Sequence, residues 1–385
     1  MQAGLKKMSV ILQNLGFVCA LGTTHDEIIK NAKNGDASGM FAHPRTVDGK
    51  NVPFGAVNLP NTKSMRCYDL LNAALNQIWN SILELKSTHK STRLGIVLGA
   101  SNTGIHEAQK HINTALSTGK MPDEFSLDEI ELYSPTKFLV EKTGFCGPAY
   151  TVSTACSSSA KVFTDARSLI KNDICDAVLV GGVDARCDFA LNGFNALSAL
   201  SFEHTNPMSQ NRNGINLGEG CALFIMTRGT DGIKLLGTGE SSDAYHLTAP
   251  DPSGAGAIAS MRAALNDAGL KATDIDFINM HGTGTVANDA MESLAISSVF
   301  GEKTLCASTK PLTGHTLGAA GAVSLGLSWL MIKYGFVVPH VFDGEYATDC
   351  AKLNLSVTTT KHEINRVLCN AFAFGGSNAS IIIGR

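Results

Sequence analysis

Four short stretches hold residue types that could do covalent chemistry. In STACSSSA, Ser153 to Ala160, one cysteine sits between an apolar run and a line of three serines. The preceding AYTV reads as strand and the following SSSAKVFTDARSLI as helix, so Cys156 falls where a strand hands over to a helix N-terminus. Unpaired N–H groups and the helix dipole favour a thiolate there, and a thiolate is a nucleophile. The competing use of such a cysteine is packing, as a small buried hydrophobe. A second stretch, NMHGTGTVANDAMES, ends an apolar strand on His281 and follows it with small residues that let a substrate approach the backbone. A third, STKPLTGHTLGAAGA, places Lys310 and His315 in one Gly- and Pro-punctuated loop. The fourth, NAFAFGGSNASIII, carries Phe372 and Phe374 at a Gly-Gly turn between two strands. Each stretch alone has a plain structural reading: a satisfied histidine, a solvated loop, an aromatic packed in a turn.

The elements that must position these residues alternate along the chain. Strand-like runs such as SVILQNLGFV, RLGIVLGAS, DAVLVGGVDA and GCALFIMTR are followed or separated by helical segments, which predicts a layered α/β fold. The strands are almost continuously apolar, as expected when both faces are buried. YTVSTACSSSAKVFTDARSLI and DFINMHGTGTVANDAMESLAI both run strand, reactive residue, small polar turn, helix, a weak internal echo that points to two similar halves. RGTDGIKLLGTGE, near Gly229 to Glu240, is the expected joint or else a hairpin. The halves are then residues 1–235, with the cysteine, and 236–385, with His281, Lys310, His315 and Phe374. The apolar run from Leu317 to Ile332 falls short of the roughly 20 residues of a membrane helix and reads as a buried core helix.

The totals narrow the function. A chain of 385 residues, 44% hydrophobic and 17% charged, buries a large core, and a net charge of -3 gives no bulk attraction to nucleic acid or an anionic membrane. No export signal is legible and none of the ten cysteines forms a close C-x-x-C pair, so reduced thiols in a cytoplasm are expected, with Cys19, Cys67, Cys175 and Cys369 as core fillers.

Taken together, STACSSS, PMSQNRNGINLGEG, SSDAYHLTAP, HGTGTVANDAMES, STKPLTGHTLGAAGA and NAFAFGGSN make the chain resemble, nearly end to end, the elongating β-ketoacyl-acyl-carrier-protein synthases of the thiolase-like fold. The resemblance implies a five-layered αβαβα arrangement of two similar halves. It implies that Cys156 takes an acyl chain from a carrier thioester, with the backbone N–H groups of Cys156 and Phe374 as oxyanion hole. His281 and His315 would then hold the thioester carbonyl of a malonyl carrier through decarboxylation, each donor contributing ~3 kcal/mol. Lys310 would orient His315, with Asp289 or Glu292 as carboxylate partner. Thr283, Thr285, Thr248, Phe372 and Phe194 match the pantetheine and substrate channel, Phe374 the gate, and Asn102 the stretch that limits chain length. Three positions depart from the family: Ser324 stands where a glutamate is frequent, Ala373 where a glycine precedes the gate, and Ser209 where an aspartate is common.

The resemblance also implies an acyl carrier protein as partner, with Lys63 and Arg66 as its docking cations, and a dimer, either with itself or with a chain-length-factor-like paralogue. Substrates ride on phosphopantetheine, so no cofactor and no metal is expected. GASNTG and CDFALNGFNALSALS resemble the ketosynthases of aryl polyene biosynthesis more closely than fatty acid enzymes. Thiolases and starter-unit synthases carry different catalytic sets. A non-catalytic chain-length subunit typically lacks the cysteine, a Cys–His hydrolase lacks support elsewhere, and zinc on Cys156, His281 and His315 would tie up the thiolate needed to carry an acyl group.

Overall fold

The computed structural model describes residues 9–62, 64–358 and 363–385. Eleven strands are found among them: β1 Ser9–Val18, β2 Leu94–Gly99, β3 Ala149–Val152, β4 Ala177–Asp184, β5 Gly220–Gly229, β6 Ile233–Ser242, β7 Phe277–Asn279, β8 Leu305–Ala307, β9 Asn354–Leu355, β10 Arg366–Phe372 and β11 Ser377–Gly384. Their hydrogen-bonded order is β3-β2-β4-β5-β1-β6-β11-β10-β7-β8-β9. The first five strands lie in the order third, second, fourth, fifth, first. Counting β6, β7, β8, β10 and β11 as the first to fifth strands of the second half gives the same order, with β9 added at the edge. The strand directions also repeat: β2 is parallel to β3 and β4, while β5 is antiparallel to β4 and β1. In the second half β7 is parallel to β8 and β10, while β11 is antiparallel to β10 and β6. The halves meet where β1 pairs with β6 through Ile11 with Lys234 and Leu12 with Ile233. The Gly229–Glu240 stretch therefore joins halves and is no hairpin, because β1 lies between β5 and β6.

Alternation along the strands sends side chains into different layers. Val97, Val178, Val180 and Phe224 share a central core with Val162, Phe163 and Ala166 of the Ser158–Lys171 helix and Leu325 and Leu327 of the Ala320–Tyr334 helix. Val367, Cys369 and Ile381 of the second half enter that same core. The neighbouring residues Leu98, Leu179 and Leu223 face outward onto Leu70 and Leu71 of the Arg66–Gln77 helix. Ile278, Leu368 and Ile382 face Met261 and Ala264 of the Ala255–Ala268 helix and Ala295 of the Val286–Phe300 helix. Helices, half-sheet, helices, half-sheet, helices make the five layers expected. The apolar Leu317–Tyr334 segment, mean hydropathy 1.2, is 89% buried between the half-sheets as a core helix.

The internal echo joins different segments from those the sequence pairs. By topology, β3, the Ser158–Lys171 helix and β4 correspond to β8, the Ala320–Tyr334 helix and β10. His281, after β7, corresponds instead to the turn after β2. Cys156 and the Lys310–His315 loop thus come from equivalent turns of the two halves.

Candidate active site

Cys156 sits on a tight elbow between β3 and the Ser158–Lys171 helix, preceded by Ala155 at φ 50°, a conformation unusual for a residue with a side chain. The serines around it fix that elbow. Ser158 Oγ accepts from Thr154 N and donates to Ala155 O, and Ser157 Oγ donates to Thr154 O and to Ser377 Oγ in the Gly-Gly turn. Ser159 Oγ accepts from Ala322 N, tying together the two central helices. Small residues permit the approach: a Cβ on Gly99 would fall 2.4 Å from Ser159 Cα, and one on Gly321 would fall 2.6 Å from Ala160 N.

His315 Nε2 lies 3.1 Å from Cys156 Sγ. The N–H of Leu317 donates to His315 Nδ1 at 3.2 Å, so the neutral ring carries its proton on Nε2 and presents it to the sulfur. His281 is edge-on to His315 at 5.3 Å between ring centres. Lys310 Nζ donates to the His281 carbonyl and stands 3.4 Å from His281 Nδ1, which leaves Nε2–H as that ring's donor. Burial, reinforced by the Lys310 charge, holds both imidazoles well below their ordinary pKa, hence neutral. Burial also lowers Lys310 to about 8, against the pull of Glu292 and Cys156, so its ammonium persists at neutral pH.

Two expectations about this cluster are corrected. The helix N-terminus does not make Cys156 a resting thiolate: burial pushes the thiol to about 11, opposed by the Lys310 charge and the Phe374 N–H. Lys310 orients His281 rather than His315, because its ammonium reaches the His281 carbonyl and ring. Glu292 serves the same loop, accepting from His281 N at 2.8 Å and Gly282 N at 2.6 Å. Asp289 accepts from Met208 N and Gly284 N, and it faces Arg212 at 3.9 Å. Each carboxylate is thus a brace for the HGTGT backbone, acting on Lys310 only through its charge.

A cavity of about 320 Å³ opens on Cys156, His281 and His315. Thr248, Thr283, Thr285, Phe194, Phe372 and Phe374 all line it. Phe194 and Phe374 stand 5.7 Å apart. The turn's positive φ values fall on Gly375 and Gly376, at 86° and 73°, so Ala373 is accommodated without strain. Asn102 does not line the cavity; it is buried, with its N–H held by Asp184 Oδ1 at 2.8 Å. Arg66 is likewise no free docking cation: its guanidinium pairs with Glu219 at 2.7 Å with side-chain exposures of 13% and 4%. Lys63 lies outside the described residues.

Two family models divide the chain, the β-ketoacyl synthase N-terminal domain over residues 56–232 and its C-terminal domain over residues 234–342. The chain belongs to the β-ketoacyl synthase family. It is similar to nodulation protein E of Rhizobium meliloti, 30% identical over 96% of this chain and 97% of that one. A 3-oxoacyl-[acyl-carrier-protein] synthase 2 of Coxiella burnetii is 28% identical over 99% of both. Among solved structures, a chain of the ketosynthase (ApeO) in complex with its chain length factor (ApeC) from Xenorhabdus doucetiae superposes with a TM-score of 0.93 at 38% identity over the whole of both chains. The ishigamide ketosynthase/chain length factor gives 0.88 at 26% identity, covering 98% of this chain and 99% of that one. This β-ketoacyl synthase is an acyltransferase that forms carbon–carbon bonds, on a thiolase-like fold.

Sequence reasoning passed over the serines flanking Cys156 and the exchange of Ser209 with Asp343. Ser209 Oγ donates to Asp343 Oδ2 at 2.9 Å, so a carboxylate remains at that place, supplied from 134 residues further along.

Proposed function

We propose that Cys156 carries the acyl chain and that His281 and His315 together polarise the extender. The observation that carries this reading is the convergence of the Cys156 sulfur and one ring nitrogen of each histidine within 4.8 Å, at the floor of the cavity. In the first half-reaction Cys156 Sγ bonds to the acyl carbonyl carbon, and the oxyanion falls to the N–H groups of Cys156 and Phe374. Collapse breaks the bond to the pantetheine sulfur, which leaves as a thiol bearing the proton that Cys156 gives up. In the second, Nε2–H of His281 and of His315 donate to the malonyl thioester oxygen. Carbon dioxide leaves, the enolate carbon bonds to the acyl carbon, the Cys156–acyl bond breaks, and the departing thiolate takes a proton from water to restore the thiol. Lys310 keeps His281 in the donating tautomer.

The same three side chains are metal-ligand types. Nδ1-accepting, Nε2–H rings offer no lone pair toward the sulfur, and the Lys310 ammonium opposes a divalent cation. We therefore assign them to acyl transfer without metal or cofactor, the substrates being borne on phosphopantetheine.

The partners are an acyl carrier protein and a second ketosynthase-fold chain. The sheet ends on β3, and Leu116, Leu127, Ile130 and Phe189 are exposed apolar side chains of the first half. The likeness to chains of ketosynthase–chain length factor complexes favours a heterodimer over a homodimer. The aromatic wall of Phe194, Phe372 and Phe374 suits a flat conjugated chain, which favours aryl polyene over fatty acid synthesis. Ten free cysteines fit a cytoplasmic setting. The test is incubation with malonyl-carrier and a panel of saturated and polyenoyl carriers, alone and with a chain-length partner. Condensed product from polyenoyl donors is expected, and condensation of saturated donors alone would contradict the pathway assignment.

A further inference from the structure

His340 ends the apolar VVPH segment, outside the cavity, and carries no role in the chemistry above. Its ring is buried and makes two hydrogen bonds to main chain from different parts of the molecule. Ser308 N lies 3.0 Å from Nδ1, and Pro207 O lies 3.0 Å from Nε2. A carbonyl only accepts, so Nε2 bears the proton and Nδ1 accepts from Ser308. Burial lowers this imidazole to about 4, consistent with a neutral ring in one fixed tautomer.

These bonds close a ring around the HGTGT loop. Ser308 Oγ donates to Gly282 O at 2.6 Å, Gly284 N donates to Asp289 Oδ1 at 3.2 Å, and Met208 N donates to Asp289 Oδ2 at 2.8 Å. His340 joins Pro207, next to Met208, back to Ser308. Ser308 Oγ also accepts from Lys310 N at 3.3 Å. Pro207 belongs to the first half of the molecule, while Gly282, Ser308 and Lys310 belong to the second.

We propose that His340 is a positioning residue for the condensing step: by bracing Ser308 against Pro207 it holds Lys310 and the Gly282 backbone in register with His281. The acylating machinery is held by other contacts. The Cys156 elbow rests on Ser157, Ser158 and Ser377. Loss of the His340 brace therefore acts on one half-reaction and spares the other.

This inference rests on the two-step reading of the site. The test compares His340→Leu, His340→Asn and Ser308→Ala with the wild-type enzyme after folding is checked by thermal melting. Acyl transfer to Cys156 is followed by intact mass in single turnover, and condensation of the preacylated enzyme with malonyl-carrier is followed separately. In His340→Leu, condensation should slow by roughly 10- to 100-fold, the cost of a displaced donor, with acylation nearly unchanged. His340→Asn keeps an acceptor near the Nδ1 position but loses the donor to Pro207 O, so with the brace open its condensation should stay nearly as slow as in His340→Leu. Ser308→Ala keeps its N–H on His340 but loses the Oγ bonds to Gly282 O and Lys310 N, the next link of the chain, and should show the same split; His340→Asn decides the matter should His340→Leu fail to fold. Equal loss of both half-reactions, an undiminished condensation rate, or an Asn variant that condenses as fast as wild type would overturn the proposal. Wild-type enzyme that acylates but never condenses would sink the two-step reading itself, and the inference with it.

Discussion

In the proposed reaction the site works through neutral imidazoles whose tautomers are set by their neighbours: Leu317 N–H on His315 and the Lys310 ammonium on His281. This gives the two half-reactions opposite pH trends. The Lys310 pKa is lowered to about 8, so its donating form is present below that value and lost as pH rises through it. Decarboxylation and condensation should fall across pH 7 to 9, whereas acylation should rise as the thiol, at about 11, ionises further. Rapid-quench rates of each step against pH check this, and Lys310→Ala should remove the alkaline fall. At this scale Cys156, His281 and His315 were legible because their motifs in combination resemble the family's, each stretch alone having a plain structural reading. The partner of Lys310 was not, since only three-dimensional placement shows that its side chain turns back to the His281 carbonyl.

Equivalent turns of two repeated units supply Cys156, the proposed nucleophile, and the lysine–histidine loop, and the central helices bring the turns together. Their approach depends on missing side chains. Gly99→Ala would drive a Cβ to 2.4 Å from the Ser159 backbone, costing roughly 3 kcal/mol and lowering the unfolding midpoint. Gly375→Ala meets nothing within 4 Å but must hold φ 86°, a backbone cost of about 1 kcal/mol. Turnover should therefore change in Gly375→Ala through the gate, with only a small shift in melting temperature. Strand identity was readable from apolar runs and turn residues. The pairing of the internal echo was not, because strand order depends on long-range contacts rather than on local pattern.

Across the whole molecule, two halves share one sheet order, and charge is spent on holding the first half together. Arg66 shows how a surface-like motif misleads: its spacing on a helix reads as a docking face, yet the chain folds Glu219 onto it from 153 residues away. Arg66→Ala should cost about 3 kcal/mol of stability by stranding a buried carboxylate, with the KM for carrier protein unchanged. Chemical denaturation and carrier titration separate the two effects. Likewise His340 gave no local signal, since a lone histidine after an apolar run is usually a satisfied core residue. The layered α/β order was legible from alternation, and the five layers and the cavity lining from the family resemblance that the motifs carry, whereas braces between halves were not.

The most direct measurement is intact mass of the enzyme after brief exposure to acyl-carrier, followed by malonyl-carrier. An acyl adduct on Cys156 that forms in the first step and disappears as β-ketoacyl product forms in the second is the predicted result, with no adduct in Cys156→Ala. Product formed by that variant, or an adduct mapped to another residue, would contradict the assignment.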